Sequence, residues 1–301
     1  MDSGTPLNDD PYRRWKERKL ARYPTATADL LVEISDPFAL TTAEKRAILD
    51  RCAKANMAIY RIVTPVTSHH QLLPAITAQL GLQDPDHHLG AGSEGLSALT
   101  PGGSAYQPFA AYIPYQQGTA IGWHTDGYYN PPDRPVRTLC LHCEQPAGTG
   151  GENELLDHEV VYIQLRDQNP DYIRALMADD VMTIPARVEQ GSVVRPDRCG
   201  PVFSLQADGT LHMRFTNRTR SIRWRSDAAT QQAVAALKAL LDQPSPYQFR
   251  GRLEAGWGLI SHNVLHTRAF FQDSPETLSR RLYRARFCDR LPQIGEGWIG
   301  E

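Results

Sequence analysis

From about residue 107 onward, apolar residues fall in short runs separated by Gly, Pro and Asp. The runs are PFAAYIPY, VRTLCLHC, VMTIPARV, PVFSLQ, TLHMRFT, WGLISHNVLH and RRLYRARF, and each reads as a strand. Ala207-Asp208-Gly209 marks a hairpin between the fourth and fifth runs. Ahead of this region, Leu30–Ile34 and Ala58–Ile62 read as strands. The capping box Thr41–Glu44 opens a helix through about Met57, and a further helix is expected over Ser68–Leu80. Two later helices are expected: Asp157–Met177, broken at Pro170, and Asp227–Leu241, with Val234, Leu237 and Leu241 on one face. Residues 1–26 read as a polar arm or frayed helix. Residues 81–107, rich in Gly, Ser, Pro and His, form a connection long enough to suggest a functional lid. Many short strands with few helices predict a mainly β (α+β) domain over 27–301, a sandwich or double-sheet jelly roll with flanking helices.

Composition changes this picture little. The 301 residues are 41% hydrophobic and 22% charged, with a formal net charge of −2, so the balance points neither to nucleic acid nor to a membrane surface. No apolar run approaches the roughly 20 residues that span a bilayer. The five cysteines, odd in number and irregularly spaced, fit a reducing cytoplasm rather than a disulfide framework. Cys140-Leu-His-Cys143 matches C-x-x-C, but residues three apart on a strand face opposite ways, so a structural role is expected.

The candidate chemistry centres on Trp123-His124-Thr125-Asp126-Gly127. Two residues apart on a strand, His124 and Asp126 share a face. His266 lies in Asn263-Val-Leu-His266-Thr-Arg268. Two imidazoles and one carboxylate on one side of a metal leave open positions, the facial triad of non-haem Fe(II) oxygenases. His262, four residues earlier on the same expected strand, competes with His266 for the distal place. The pairs His69-His70 and His87-His88 read as solvated or loop histidines.

These motifs resemble those of the TauD-like (taurine dioxygenase / clavaminate synthase-like) group of 2-oxoglutarate-dependent oxygenases. The resemblance rests on WHTDG at 123–127, on Pro146-Ala-Gly-Thr-Gly-Gly-Glu-Asn153, on Asn263-Val-Leu-His266-Thr-Arg268 and on Arg280-Arg-Leu-Tyr-Arg284, in the family's order over about 107–290. It implies a double-stranded β-helix, with His124, Asp126 and His266 as ligands to Fe(II). It also implies 2-oxoglutarate and O2 as co-substrates, and oxidation of a small molecule with release of succinate and CO2. The register of the third motif favours His266 over His262.

The resemblance further implies Arg280 as the anchor of the 2-oxoglutarate carboxylate and Arg284 as a contact to co-substrate or substrate. An Arg fork matches a carboxylate in a way Lys does not. Alternation places Arg280, Arg284 and Arg286 on one strand face and Arg281 on the other. Asn153 stands where the family has a Thr that donates to the co-substrate. An Asn amide can also donate. The basic stretch Arg214–Arg225 is expected either to capture an anionic substrate group or to be a solvated loop balanced by acids. Tyr128 and Tyr129 are candidates to line the pocket. The same ligands could instead hold Zn for hydrolysis, or bind a metal without turnover.

Overall fold

In a computed structural model the described residues are 9–87, 92, 95–101, 118–218, 222–273 and 279–292. The expected strand PFAAYIPY and His88 lie outside them. Ten strands make two larger sheets: β1 Leu31–Ile34, β2 Met57–Ile62, β3 Leu96–Leu99, β4 Ile121–His124, β5 Thr138–Gln145, β6 Asn153–Leu156, β7 Gln248–Gly251, β8 Trp257–Ser261, β9 Leu265–Arg268 and β10 Arg281–Phe287. The first sheet runs β1-β2-β8-β5-β10-β3 and the second β7-β6-β9-β4. Only β1 and β2 pair in parallel within these sheets. Six α-helices flank them: α1 Asp9–Ala21, α2 Thr42–Ala55, α3 His69–Gln79, α4 His158–Gln168, α5 Pro170–Leu176 and α6 Ala228–Leu241.

Burial follows strand alternation. One face of the first sheet contributes Ile59, Leu139, Leu141, Cys143, Leu259 and Leu282 to a core shared with Leu155 and Phe249 of the second sheet. The other face buries Ala58, Tyr60, Cys140, Ile260, Ala285 and Phe287 beneath α2 and α3. Cys140 and Cys143 therefore sit in different cores, as their spacing requires. A third core joins α4, α5 and α6 to the Phe203–Leu205/Leu211–Met213 hairpin.

Local signals explain most boundaries. Thr41 caps α2 and Glu44 reaches back to it, as the capping box requires. Asn169 caps α5 with Pro170 at its first turn, so the break in the expected 157–177 helix falls there. Pro185 divides the expected strand VMTIPARV into Met182–Ile184 and Arg187–Glu189.

Three expectations need correction. Residues 9–21 are not a loose arm: α1 buries Tyr12 and Trp15 against α4, and Lys19 is ion-paired with Asp157 at 2.6 Å and Glu159 at 2.5 Å. The 81–107 connection is not structureless, because Leu96–Leu99 joins the first sheet beside β10. WGLISHNVLH is two strands in two sheets. The chain turns at Asn263, whose φ is +50°, so β8 and β9 leave it in different sheets.

Candidate metal centre and co-substrate cavity

β4 and β9 are antiparallel neighbours with His124 directly opposite His266. Directly opposed residues share a face, so the two imidazoles come together, with ring centroids 4.1 Å apart. Each ring uses Nδ1 locally: His124 bonds Gly122 O and His266 bonds Val264 O, both at 2.9 Å. A carbonyl can only accept, so Nδ1 carries the proton and the lone pair resides on Nε2. Those Nε2 atoms lie 3.7 and 3.8 Å from Asp126 Oδ1. One donor atom from each of the three residues fits within 4.8 Å of the others.

The turn after β4 aims Asp126. Gly127 has φ +68°, and a Cβ there would overlap Val136 Cγ2, so only glycine makes this bend. Asn263 fixes the same turn from across the site. Its Oδ1 accepts from Asp126 N at 2.8 Å, and its Nδ2 donates to Asp126 O at 2.9 Å and Val136 O at 2.7 Å. The residue that separates β8 from β9 thus also holds the backbone of Asp126.

Charge is arranged to keep the imidazoles neutral and the carboxylate ionised. Burial, with His266 adding to it, pushes His124 down to about 3, and burial also lowers His266. Burial opposes the Asp126 charge, yet Arg284 and Arg286 outweigh it and hold the carboxyl below its usual range. Arg284 Nη1 lies 3.1 Å and Arg286 Nη1 3.9 Å from Asp126 Oδ2. Oδ1 therefore faces the histidines while Oδ2 faces the guanidiniums. Neutral His and ionised Asp are the protonation states a divalent metal needs.

His262, the rival ligand, is not on this face. It is buried with Nδ1 2.9 Å from Asn56 Oδ1, and its backbone N–H donates to Asn56 O. His69 is not a solvated histidine either: its Nδ1 lies 3.0 Å from Nε2 of the buried His142, whose Nδ1 meets the Tyr60 hydroxyl at 3.0 Å. His87 is exposed.

Arg280, Leu282, Arg284 and Arg286 follow the inner face of the first sheet, while Arg281 is exposed and pairs with Glu144 at 3.3 Å. Arg280 is 4% exposed, and its Nη1 is buried without a hydrogen-bond partner among the described residues. It borders a small cavity with Gly150, Gly151, Asn153, Arg252 and Leu282. Gly150, at φ +71°, has no room for a Cβ against Phe270 O, so this wall is bare backbone. An apolar cavity of about 70 Å³ adjoins it, lined in part by Leu155, Phe249, Trp257 and Leu259 and sharing Asn153 and Arg252. A buried guanidinium with an unpartnered N–H is costly alone and suits a carboxylate. Asn153 Nδ2 already donates to Thr267 O at 2.7 Å, tying β6 to β9, with one N–H left over.

The basic stretch divides by role. Arg214 donates to five backbone carbonyls, among them Met182 O at 2.6 Å and Gly200 O at 2.9 Å, and is structural. Arg223 pairs with Asp197, and Arg225 with Asp180 and Asp227. Arg220 lies outside the described residues. Sequence reasoning did not single out Asn263 as a clamp or Arg286 as a partner of the carboxylate. The alternation rule had already placed Arg286 on the right face.

This geometry meets an independent comparison. Residues 86–286 match the family described as "Taurine catabolism dioxygenase TauD, TfdA family". The chain belongs to that family of 2-oxoglutarate-dependent non-haem iron dioxygenases, whose members work with Fe(II), 2-oxoglutarate and O2. It is 31% identical over 192 residues to a uridine-5'-phosphate dioxygenase of a Streptomyces species, covering 60% of this chain and 65% of that protein. The chain thus spans a little under two thirds of the curated relatives it matches. Among solved structures, AAD-2 with Mn(II) and N-oxalylglycine superposes at TM-score 0.64, 14% identical, over 90% of this chain and 98% of that one. The non-haem iron oxygenase OrfP with Fe and alpha-ketoglutaric acid gives TM-score 0.57, 15% identical, over 82% and 80%. These two likenesses speak to the fold. No described helix is long and apolar enough to cross a membrane.

Proposed function

We propose that this chain catalyses the Fe(II)- and 2-oxoglutarate-dependent oxidation of a phosphorylated small molecule, with release of succinate and CO2. The two sheets would form the two faces of a jelly roll within one domain that includes α1. The observation that carries the reading is the pair of registered histidines, each with its Nδ1 proton spent on its own strand and its Nε2 turned toward Asp126 Oδ1. In this reading His124, Asp126 and His266 hold the iron. The name of the curated relative makes uridine 5'-phosphate the first substrate to try.

Bound iron and 2-oxoglutarate supply the oxidising chemistry, as cofactors carry the hard step in such enzymes. The chain's own residues supply position and a dry interior. Gly122 O and Val264 O fix the tautomer and tilt of the two imidazoles. Arg284 and Arg286 hold Asp126 Oδ2, which leaves Oδ1 for the metal. Arg280 takes the distal carboxylate of 2-oxoglutarate, and Asn153 lines the same cavity and offers its remaining N–H. Leu155, Phe249 and Leu259 keep the adjoining space apolar, where charge interactions are stronger than in water. The test is succinate release in air with Fe(II) and 2-oxoglutarate, compared with and without uridine 5'-phosphate. The expected result is substrate-stimulated succinate in the intact chain and none in His124→Ala. Equal succinate from both would remove the metal assignment.

A further inference from the structure

Beyond Asp126, the side chains reach a second wall that carries positive charge. Arg286 links Asp126 to the Tyr129 hydroxyl, which it meets at 2.9 Å. On the same Tyr129 ring lies Arg195, its Cζ 5.9 Å from the centroid. Tyr128 packs edge-on to Tyr129 at 5.2 Å, and its hydroxyl lies 3.4 Å from Arg218 Nη1. Arg214 Nη1 bonds both Tyr128 O and Arg198 O, so Arg198 is stapled beside Tyr128. Arg195 and Arg218, from two separate segments, thus reach the tyrosine pair that follows the candidate metal ligands, and Arg198 lies beside Arg195.

Their charges are not ion-paired, although Arg195 donates to Pro185 O at 2.7 Å and Pro196 O at 3.4 Å. Among the described residues Arg195, Arg198 and Arg218 have no carboxylate within ion-pair distance, and Arg198 Nε is buried with no hydrogen-bond partner. The nearby acids are already engaged: Asp197 by Arg223 and Ala186 N, and Asp180 and Asp227 by Arg225. Arg195 is half-buried, and its pKa is lowered, first by burial and further by its neighbours Arg198 and Arg187. Like charges held together are relieved by an anion. Arg284, by contrast, already faces Asp126 Oδ2.

We propose that Arg195, Arg198 and Arg218, with the Tyr128 hydroxyl, form an anion-recognition wall that takes the phosphate of an organic phosphate substrate, one end of the site whose other end is the metal triad. Three guanidiniums match a phosphate dianion better than a single carboxylate, since its oxygens accept several charge-assisted hydrogen bonds at once. The proposal rests on the reading of the site as an oxygenase centre, and its test separates the two.

Equilibrium binding of uridine 5'-phosphate, uridine and inorganic phosphate is measured under nitrogen, on the metal-free chain and on the chain loaded with Fe(II) and 2-oxoglutarate. Uridine 5'-phosphate is expected to bind, to be displaced by inorganic phosphate, and to bind far more tightly than uridine. Arg195→Ala, Arg198→Ala and Arg218→Ala should each weaken it about tenfold or more, the usual loss for a hydrogen bond to a charged group. Arg174→Ala, remote and paired with Asp171, should leave it unchanged. Arg218 is exposed, so its replacement reports on binding without touching the core. Equal affinity for uridine and its phosphate, or full affinity in Arg218→Ala and Arg195→Ala, would overturn the wall. Arginine-dependent binding without succinate release in air would support the wall while sinking the oxygenase reading. Succinate release driven only by a phosphate-free substrate would do the reverse.

Discussion

Replacing Arg286 with Met removes a buried cation and keeps much of its apolar stem. Arg286 is 1% exposed. Its Nη2 is ion-paired with Asp86, its Nη1 meets Tyr129 OH at 2.9 Å, and the same Nη1 is 3.9 Å from Asp126 Oδ2. Burial disfavours the guanidinium charge, but Tyr129, Asp126 and Asp86 outweigh it and keep the group protonated. In Arg286→Met, Asp86 is left 8% exposed with the Asn130 amide at 3.0 Å as its remaining side-chain partner. Breaking a buried pair from one side costs about 3–5 kcal/mol, because a charge stays behind without compensation. Urea unfolding of the metal-free chain, followed by circular dichroism, reads this as a lower midpoint at unchanged slope. Asp86→Asn in the same background removes the stranded charge and should recover about half of the loss or more. A loss below about 1 kcal/mol in Arg286→Met, or no recovery on adding Asp86→Asn, would show that the pair does not hold the segment before β3 to the site.

Three further outcomes follow from the same geometry. Arg280→Ala should weaken 2-oxoglutarate binding by about 2–5 kcal/mol, the loss on truncating one side of a buried charge pair, and Arg281→Ala should barely change it. Titration of the co-substrate with equal effects from both would move the anchor off Arg280. Glu159 is held down to about 2 by Lys19 against the opposing effect of burial. The stabilisation this pairing gives is complete above the unfolded value near pH 4.5 and is lost as pH falls from there toward 2. Glu159→Gln should flatten the stability profile across that window, and an unchanged acid limb would contradict the pairing. His262→Ala should cost about 1–3 kcal/mol of stability through its lost bond to Asn56 while leaving Fe(II) affinity intact, as equilibrium dialysis would show.

Where local chemistry decides, the sequence was readable. Thr41 and Glu44 fixed the start of α2, Pro170 the division of α4 from α5, and strand alternation put Arg281 outside and Arg284 inside. Two-residue spacing put Asp126 near His124, whereas His266 was singled out by the resemblance of its motif, and the β4–β9 register sets it opposite His124. What escaped was set by tertiary contact. A strand pattern running through WGLISHNVLH gives no warning that Asn263 adopts positive φ to serve the Asp126 backbone, and that break takes His262 away from His266. The apolar positions of α1, Tyr12, Trp15 and Leu20, stand among charged residues, and only contact with α4 makes Lys19 an interior residue. Arg218 was hidden for a related reason: a basic stretch reads the same whether a charge is ion-paired, like Arg223, or has no carboxylate partner among the described residues, like Arg218.

The central proposal is that His124, Asp126 and His266 hold Fe(II) beside 2-oxoglutarate. Anaerobic titration of the metal-free chain with Fe(II) in the presence of 2-oxoglutarate, followed by the visible metal-to-ligand absorption of the complex, tests this directly. A saturable band is expected in the intact chain, with its loss in His266→Ala and its survival in His262→Ala. No band in the intact chain, or a band that survives His266→Ala and disappears in His262→Ala, would contradict it.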